Sequence, residues 1–524
     1  MNILKDFAPL SPAEEKLLAE CASPSRITIG DGEQPIENTP DLTIRADLIR
    51  ALILGEDPKQ KLHDKGMRLR GAWITGPLDL QGCDLTQDIT LTQCTLDADI
   101  SLINTRLRGL HLTGTGVKGI SADNASFGGS LYLRADTRVD GEISLAGARI
   151  AGDLQLCGAQ INSPDQDAVF APSLRVEGSV FLGNYPYSDG QSTLAVTGTL
   201  FFASAHVAHD FFITNTSITL TEGILGEGVF DGTEEHGRDI ALSLARAQIG
   251  GILYFKDNQI SQGIVNLAGA SADKLKDEPE GPGVGYPIRL DGFRYSDFSR
   301  HTDTGVQARL HWLDRRPEGM PFTAQPYEQL ASVLQQLGHR NDARMVLMRK
   351  ERLLRREDRI LFRDKNGRGV RWAMMWLSDT ILRVIVGYGY KPGRAVLFAA
   401  LLIMGLGLFF QKTWDAGDMT PNAAPILVSR DWIAATEIAP GNPGAYWSQP
   451  GQAGQDWETF NAFAYAADLV IPLITFGQEN AWAPSTSRSP WGRAGWWIRW
   501  FAKAIGWIVT ALAAAALTGL IRQE

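Results

Sequence analysis

The sequence predicts a mainly-β fold, a parallel β-solenoid with a helical N-terminal cap and a helical linker, followed by an α-helical transmembrane domain of two spans. Three observations predict it: an apolar repeat stepping by about 11 residues, two uncharged apolar segments near the C-terminus, and an uneven distribution of Trp and basic residues. The 524 residues include 54 Gly and carry a formal net charge of -9, with a mean hydropathy of -0.10. An apolar fraction of 44% and a charged fraction of 21% exclude wholesale disorder. The mean hydropathy excludes a polytopic membrane protein but leaves room for one or two spans. At about 150 residues per domain, the length suggests about three domains. Cys21, Cys83, Cys94 and Cys157 are too few for a disulfide scaffold and fit a reducing compartment.

Residues 1–60 predict a helical cap. Ser11 caps a helix with Pro12 at its first position and Glu14 at its third. A second helix is predicted over 43–54, with Gly55 as its terminator. The solenoid is predicted over 61–300. Its first apolar position steps through Leu78, Ile89, Ile100, Leu110, Ile120, Leu131, Ile143 and Leu154, at intervals of 11, 11, 10, 10, 11, 12 and 11. A strand with period-2 alternation buries one face and cannot do so alone, so turns of chain stack and share a core. Glycine serves corners that need positive φ. The pattern returns at 174–184, 198–218, 239–255 and 288–298 after Gly-rich insertions. These units resemble pentapeptide-repeat and bactofilin β-solenoids.

Residues 301–390 predict a helical linker. Its end is basic: 349–394 holds 13 Lys/Arg against 5 Asp/Glu, a local +8 that leaves about -17 elsewhere. The membrane domain is predicted over 391–524. The uncharged run 395–410, flanked by Lys391 and Lys412, predicts a span over 392–411. A second span is predicted over 502–521, with Trp496, Trp497, Trp500 and Trp507 at headgroup level. The first 20 residues carry four acids and no apolar core, so no signal peptide is expected. The basic flank then predicts that the solenoid and both termini face the cytoplasm of a bacterial inner membrane, with 413–497 outside.

Between the spans, Phe460, Phe463, Ala464, Ala467 and Val470 are spaced for a helix over 457–471, too short to cross a bilayer. It breaks at Pro472 into a loop over 472–480 containing Thr475, Phe476, Gly477 and Gln478. This order resembles pore-loop channels, which assemble as tetramers and strip the ion's hydration shell with loop carbonyls. The loop has one Gly where potassium filters have two, so potassium selectivity is not implied. Asp468 is expected to attract cations, and Trp507, Thr510, Ala514 and Leu517 to line the conduit. The alternative is an amphipathic helix lying in the outer interface.

No hydrolase, nucleotide-loop or metalloprotease motif is present, and neither enzyme activity, cofactor nor metal is expected. His206 and His209 point to opposite faces of a strand. The solenoid carries Arg68, Arg70, Arg106, Arg108, Arg134, Arg138, Arg149 and Arg175, of which Arg106, Arg108, Arg134, Arg138 and Arg149 are candidate ligands for a nucleotide or oligonucleotide. The plainer alternative is solvated strand ends, since Asp79, Asp97, Asp136 and Glu177 are interspersed.

A cytoplasmic solenoid, a basic linker and a two-span pore-loop domain together resemble the membrane effectors of bacterial anti-phage defence of the Hailong type. The resemblance covers the layout of the chain and rests chiefly on residues 456–521. It implies a tetrameric channel that depolarises the infected cell, a single-stranded DNA or nucleotide ligand, and a partner nucleotidyltransferase. A membrane-tethered scaffold without conductance, or a membrane-anchored solenoid enzyme, are the other classes the sequence allows.

Overall fold

The structure is a computed structural model and describes residues 7–187, 190–221, 239–281 and 283–518. It divides into two compact units, Met1–Leu347 and Met348–Glu524.

The first unit is solenoid-like. Two large sheets, each of sixteen strands, are parallel throughout and built from strands mostly two to five residues long. Register gives the repeat directly. Ile89 pairs with Leu110, Leu110 with Leu131 and Leu131 with Leu154, so a full pass takes 21 or 23 residues, two of the predicted steps. Later passes lengthen by insertion (Val180 pairs with Phe211, Phe211 with Leu253) before the short repeat resumes at Leu253, Leu275 and Phe298. Along Asp88–Thr92, Ile89 and Leu91 are buried while their neighbours are half exposed. Each such buried leucine or isoleucine stabilises the stack by roughly 1.5–3 kcal/mol.

One corner recurs in every pass with positive φ. It is held by Gly82, Asn104, Asn124, Gly147, Ser173, Ser204, Arg246, Gly269 and Gly292. Eight of these amides donate to a carbonyl of the next pass, as Asn104 does to Asp123 and Gly147 to Pro172, and the last, Gly292, donates to the Gln325 side-chain oxygen of the covering helix. The expectation that glycine makes these turns therefore holds for four of the nine positions. Asn tolerates this conformation through local hydrogen bonding; the ladder bond holds the Ser and Arg positions in it as well.

Both ends are covered. Helix α1 (Pro12–Glu20) has the expected capping box, with Glu14 also accepting from the backbone and guanidinium of Arg45. The predicted helix over 43–54 starts three residues later. Thr43–Arg45 is a strand paired with Trp73–Thr75, because Ile44 alternates into the core, and α2 is Ala46–Leu54. The cap thus adds rungs to both sheets, the other being Ile27–Thr28. At the far end lie α3 (Val306–Asp314) and α4 (Gln325–Gln336). Arg309, fully buried, makes a two-pronged ion pair with Asp277 at 2.7 and 2.9 Å, and Gln325 and Gln329 donate to the carbonyls of Phe293 and Tyr295. Helix α5 (Arg340–Asn366) follows.

The second unit contains α6 (Val370–Ile381), a single π turn at Leu382–Val386, and α7 (Gly393–Asp415). After α7 come a short strand at Met419–Pro421 and helices α8 (Ala424–Leu427), α9 (Arg430–Ile438) and α10 (Pro443–Trp447). Then follow α11 (Ala462–Val470), α12 (Gln478–Ala481), a strand at Trp482–Pro484 antiparallel to Met419–Pro421, and α13 (Pro490–Leu517). Helices α7 and α13 are long and apolar enough to cross a membrane, and each leaves most of its apolar window uncovered. Two boundaries differ from expectation. The first helix runs four residues beyond 411. The second begins twelve residues before 502, capped by Ser489; residues 519–521 of the predicted span lie outside the described residues. The Trp residues also do more than mark an interface. Trp432, Trp447 and Trp482, in the segment joining the two helices, are buried, and Trp482 packs edge-on against Trp414 in the last turn of α7.

Candidate functional site

Helix α11 is shorter than the predicted 457–471. Asn461 caps it, accepting from the amides of Phe463 and Ala464, while residues before it are tied elsewhere: Trp457 donates to the carbonyl of Ala481 and Trp482 to that of Glu458. Glycines seat α11 against both apolar helices. On α7, a Cβ at Gly407 would come within 2.4 Å of the Phe463 ring. On α13, a Cβ at Gly506 would come within 2.6 Å of the Val470 carbonyl oxygen and 2.9 Å of that of Leu469. Phe410, Tyr465, Leu469 and Ala502 close the core between the three helices.

The loop after α11 is fastened at both ends. Asp468 is buried, and its two carboxylate oxygens accept from the amides of Phe476 and Glu479. Gln478 accepts from the amide of Asn461 at 2.8 Å and donates to the carbonyl of Thr459 and the carboxylate of Glu458. Gly477 caps α12 at φ +84, where no side chain is favoured. Glu479 accepts from Arg499 at 2.7 Å and contacts Lys503, joining the loop to α13. Leu473, Ile474, Thr475 and Phe476 remain exposed, Leu473 at 75%, and Pro472 is half-buried.

The predicted residues therefore take different roles. Asp468 was expected to face cations; its carboxylate instead shapes the loop from behind, both oxygens being engaged. Thr475 and Phe476 lie on the open edge, Gly477 supplies the turn and Gln478 the clamp. On α13, Trp507, Ala514 and Leu517 are exposed and Thr510 is half-buried. The Glu479–Arg499–Lys503 cluster is an addition that sequence reasoning missed. Arg499 and Lys503 are one helical turn apart, four residues, and that spacing was the available signal.

The five solenoid arginines separate. Arg106 and Arg149 fall in one column of outward positions, two residues past the positive-φ corner. Register aligns Arg106, Ser126, Arg149, Arg175, His206, Gln248, Ser271 and Arg294 on successive passes. Among the described residues, Arg149, Arg175 and Arg294 have no ion-pair partner; Arg106 lies 3.6 Å from Asp84 in an exposed pair of little energetic weight. Arg108 lies 3.8 Å from Asp88. Arg134 is packed over Tyr132 at 4.1 Å and Tyr185 at 5.1 Å and donates to Gln155. Arg138 lies in the other sheet, between Gly116 and Gln160. Pairing across passes groups Arg175 with Arg106 and Arg149 and adds Arg294, which the sequence reading did not include.

Two of the solenoid thiols are inert. Burial pushes Cys94 up to about 11 and Cys157 up to about 12, so both stay protonated. Among the described residues, no three His, Cys, Asp or Glu side chains converge as metal ligands. Compared with known proteins, the chain matches no family model, no curated protein and no solved structure.

Proposed function

We propose that the chain is a ligand-gated ion channel, the membrane-depolarising effector of a bacterial anti-phage system resembling the Hailong type. One observation carries the reading. A half-length helix and a fastened loop are seated by glycine contacts between two membrane-length apolar helices, and the loop leaves an unpartnered apolar edge, Leu473 to Phe476. Irregular backbone at membrane depth is stable only when it is buried in protein or lines a cavity. Neighbouring copies around an axis supply that enclosure, and a tetramer is the arrangement of pore-loop channels. The α13 face bearing Trp507, Thr510, Ala514 and Leu517 then lines the conduit.

In this reading the protein sits in the inner membrane with both termini inside, and the solenoid is the cytoplasmic sensor. The arginine column, unneutralised over Arg149 and Arg175, suits the phosphates of a single-stranded DNA or nucleotide ligand made by a partner nucleotidyltransferase. The chain has no enzymatic role here. Covered ends, with α1 and α2 at one and α3 and α4 at the other, favour this over an end-to-end scaffold.

The test is reconstitution of the full chain into voltage-clamped bilayers, with subunit number from native mass. A tetramer passing current that changes on adding or removing oligonucleotide is expected. Gly477→Val and Asp468→Asn should each alter unitary conductance. A tight bilayer under every ligand condition, with a monomer or filament in solution, rejects the channel in favour of the scaffold.

A further inference from the structure

We infer that α6 is a membrane-surface helix that docks on anionic phospholipid headgroups. The proposal rests on the membrane reading of the second unit and adds a third lipid-contacting element to its two apolar helices. Helix α6 exposes Val370 at 79%, Met374 at 65% and Leu377 at 53%. They lie at i, i+4 and i+7, one stripe of an amphipathic helix. Trp376 is exposed beside them, and a Trp ring with one apolar and one polar edge suits the headgroup level.

The other side of α6 is occupied by protein. Asp379, its one buried residue, accepts from Arg359 at 2.5 Å and from the Tyr388 hydroxyl at 2.9 Å. At its C-terminal end the stripe itself turns into protein: Ile381, at i+11, packs into the core formed by Ile385, Val386, Ala395 and Val509. So α6 is held in place through Asp379 and through Ile381 at its end, while Val370, Met374 and Leu377 of the stripe face outward, an arrangement that water alone does not favour. Charge identifies the occupant. Arg368 and Arg371 flank the start of α6, and Arg383, Lys391 and Arg394 follow it; none is in an ion pair among the described residues, and α6 shows no exposed acid. A cationic rim around an apolar stripe matches an anionic leaflet. The chain then leads through the π turn into α7, whose exposed Val396, Leu397 and Leu401 form the surface read as lipid-facing.

The experiment places a nitroxide at Met374→Cys or, separately, Leu401→Cys. The full chain carries Cys83→Ser, since the other thiols are buried. Collision with oxygen and with an aqueous nickel chelate is measured in phosphatidylcholine vesicles with and without phosphatidylglycerol. Oxygen is expected to dominate at Leu401 in both, and at Met374 when phosphatidylglycerol is present. Arg368→Gln and Arg371→Gln should weaken the Met374 partition about fivefold each, each basic residue near an anionic leaflet contributing about 1 kcal/mol. A lipid signal at Leu401 with an aqueous one at Met374 overturns the proposal and leaves the membrane reading standing. Aqueous signals at both overturn the membrane reading itself. A Met374 label shielded from both agents, as under a second copy of the chain, also overturns the lipid assignment.

Discussion

The two units use glycine in different ways. In the solenoid the recurrent positive-φ corner accepts Gly, Asn, Ser and Arg, because a ladder hydrogen bond to the next pass enforces the conformation whatever the side chain. In the helical unit Gly407 and Gly506 sit in ordinary helix and are required for space, since a single added carbon would strike a ring or a carbonyl oxygen. A repeat spreads a constraint over many equivalent positions. A bundle concentrates it at one contact.

The largest expected effect lies where the repetition stops. Arg309→Ala leaves Asp277 charged and buried at the end of the solenoid and should cost about 3–5 kcal/mol, read as a lower first transition in a thermal melt. Gly506→Leu should cost about 3 kcal/mol in the second transition and abolish conductance, since backbone carbonyls cannot move aside as a flexible side chain can. Asp468→Asn, which removes charge from an acceptor of two amides, should cost about 2 kcal/mol and change the open-state current. Within the repeat, Gly147→Ala should cost only about 1–2 kcal/mol, the penalty of one left-handed residue. If Gly147→Ala proves as damaging as Gly506→Leu, the contrast between the units fails.

The smallest effect is a pH dependence. Burial alone would raise the Glu14 carboxyl; hydrogen bonds from Arg45 and the Ser11 amide, with the Arg45 charge, outweigh it and hold the value below the usual 4.5. Its contribution is therefore complete above about pH 4.5 and lost as the pH falls through the lower folded value. Glu14→Gln should lower the melting temperature at pH 7 and narrow the fall between pH 5 and pH 3, measured by circular dichroism.

Much of this was legible in the chain. Period-2 apolar positions at a steady step specify stacked strands, because burial of one face is a local property that each unit repeats. Length and hydropathy likewise delimit α7. What escaped was anything set by partners distant in sequence. Ser173, Ser204 and Arg246 do not advertise a left-handed corner. Arg175 and Arg294 join Arg106 only through register, and Asp468 became an internal acceptor only because the chain returns to it at Phe476. The α6 stripe was present in the sequence at i, i+4 and i+7, masked by the surrounding basic residues.

The Glu479 cluster has an electrical consequence. Asp468 and Glu479 contribute two negative charges to the interior of the bundle, and Arg499 and Lys503 two positive ones. Moving one net charge through the membrane field is worth about 2.3 kcal/mol per 100 mV, but a neutral group moved as one body draws almost nothing from that field. In the proposed channel, moving these four groups together would draw little from the field, so that movement would be insensitive to voltage.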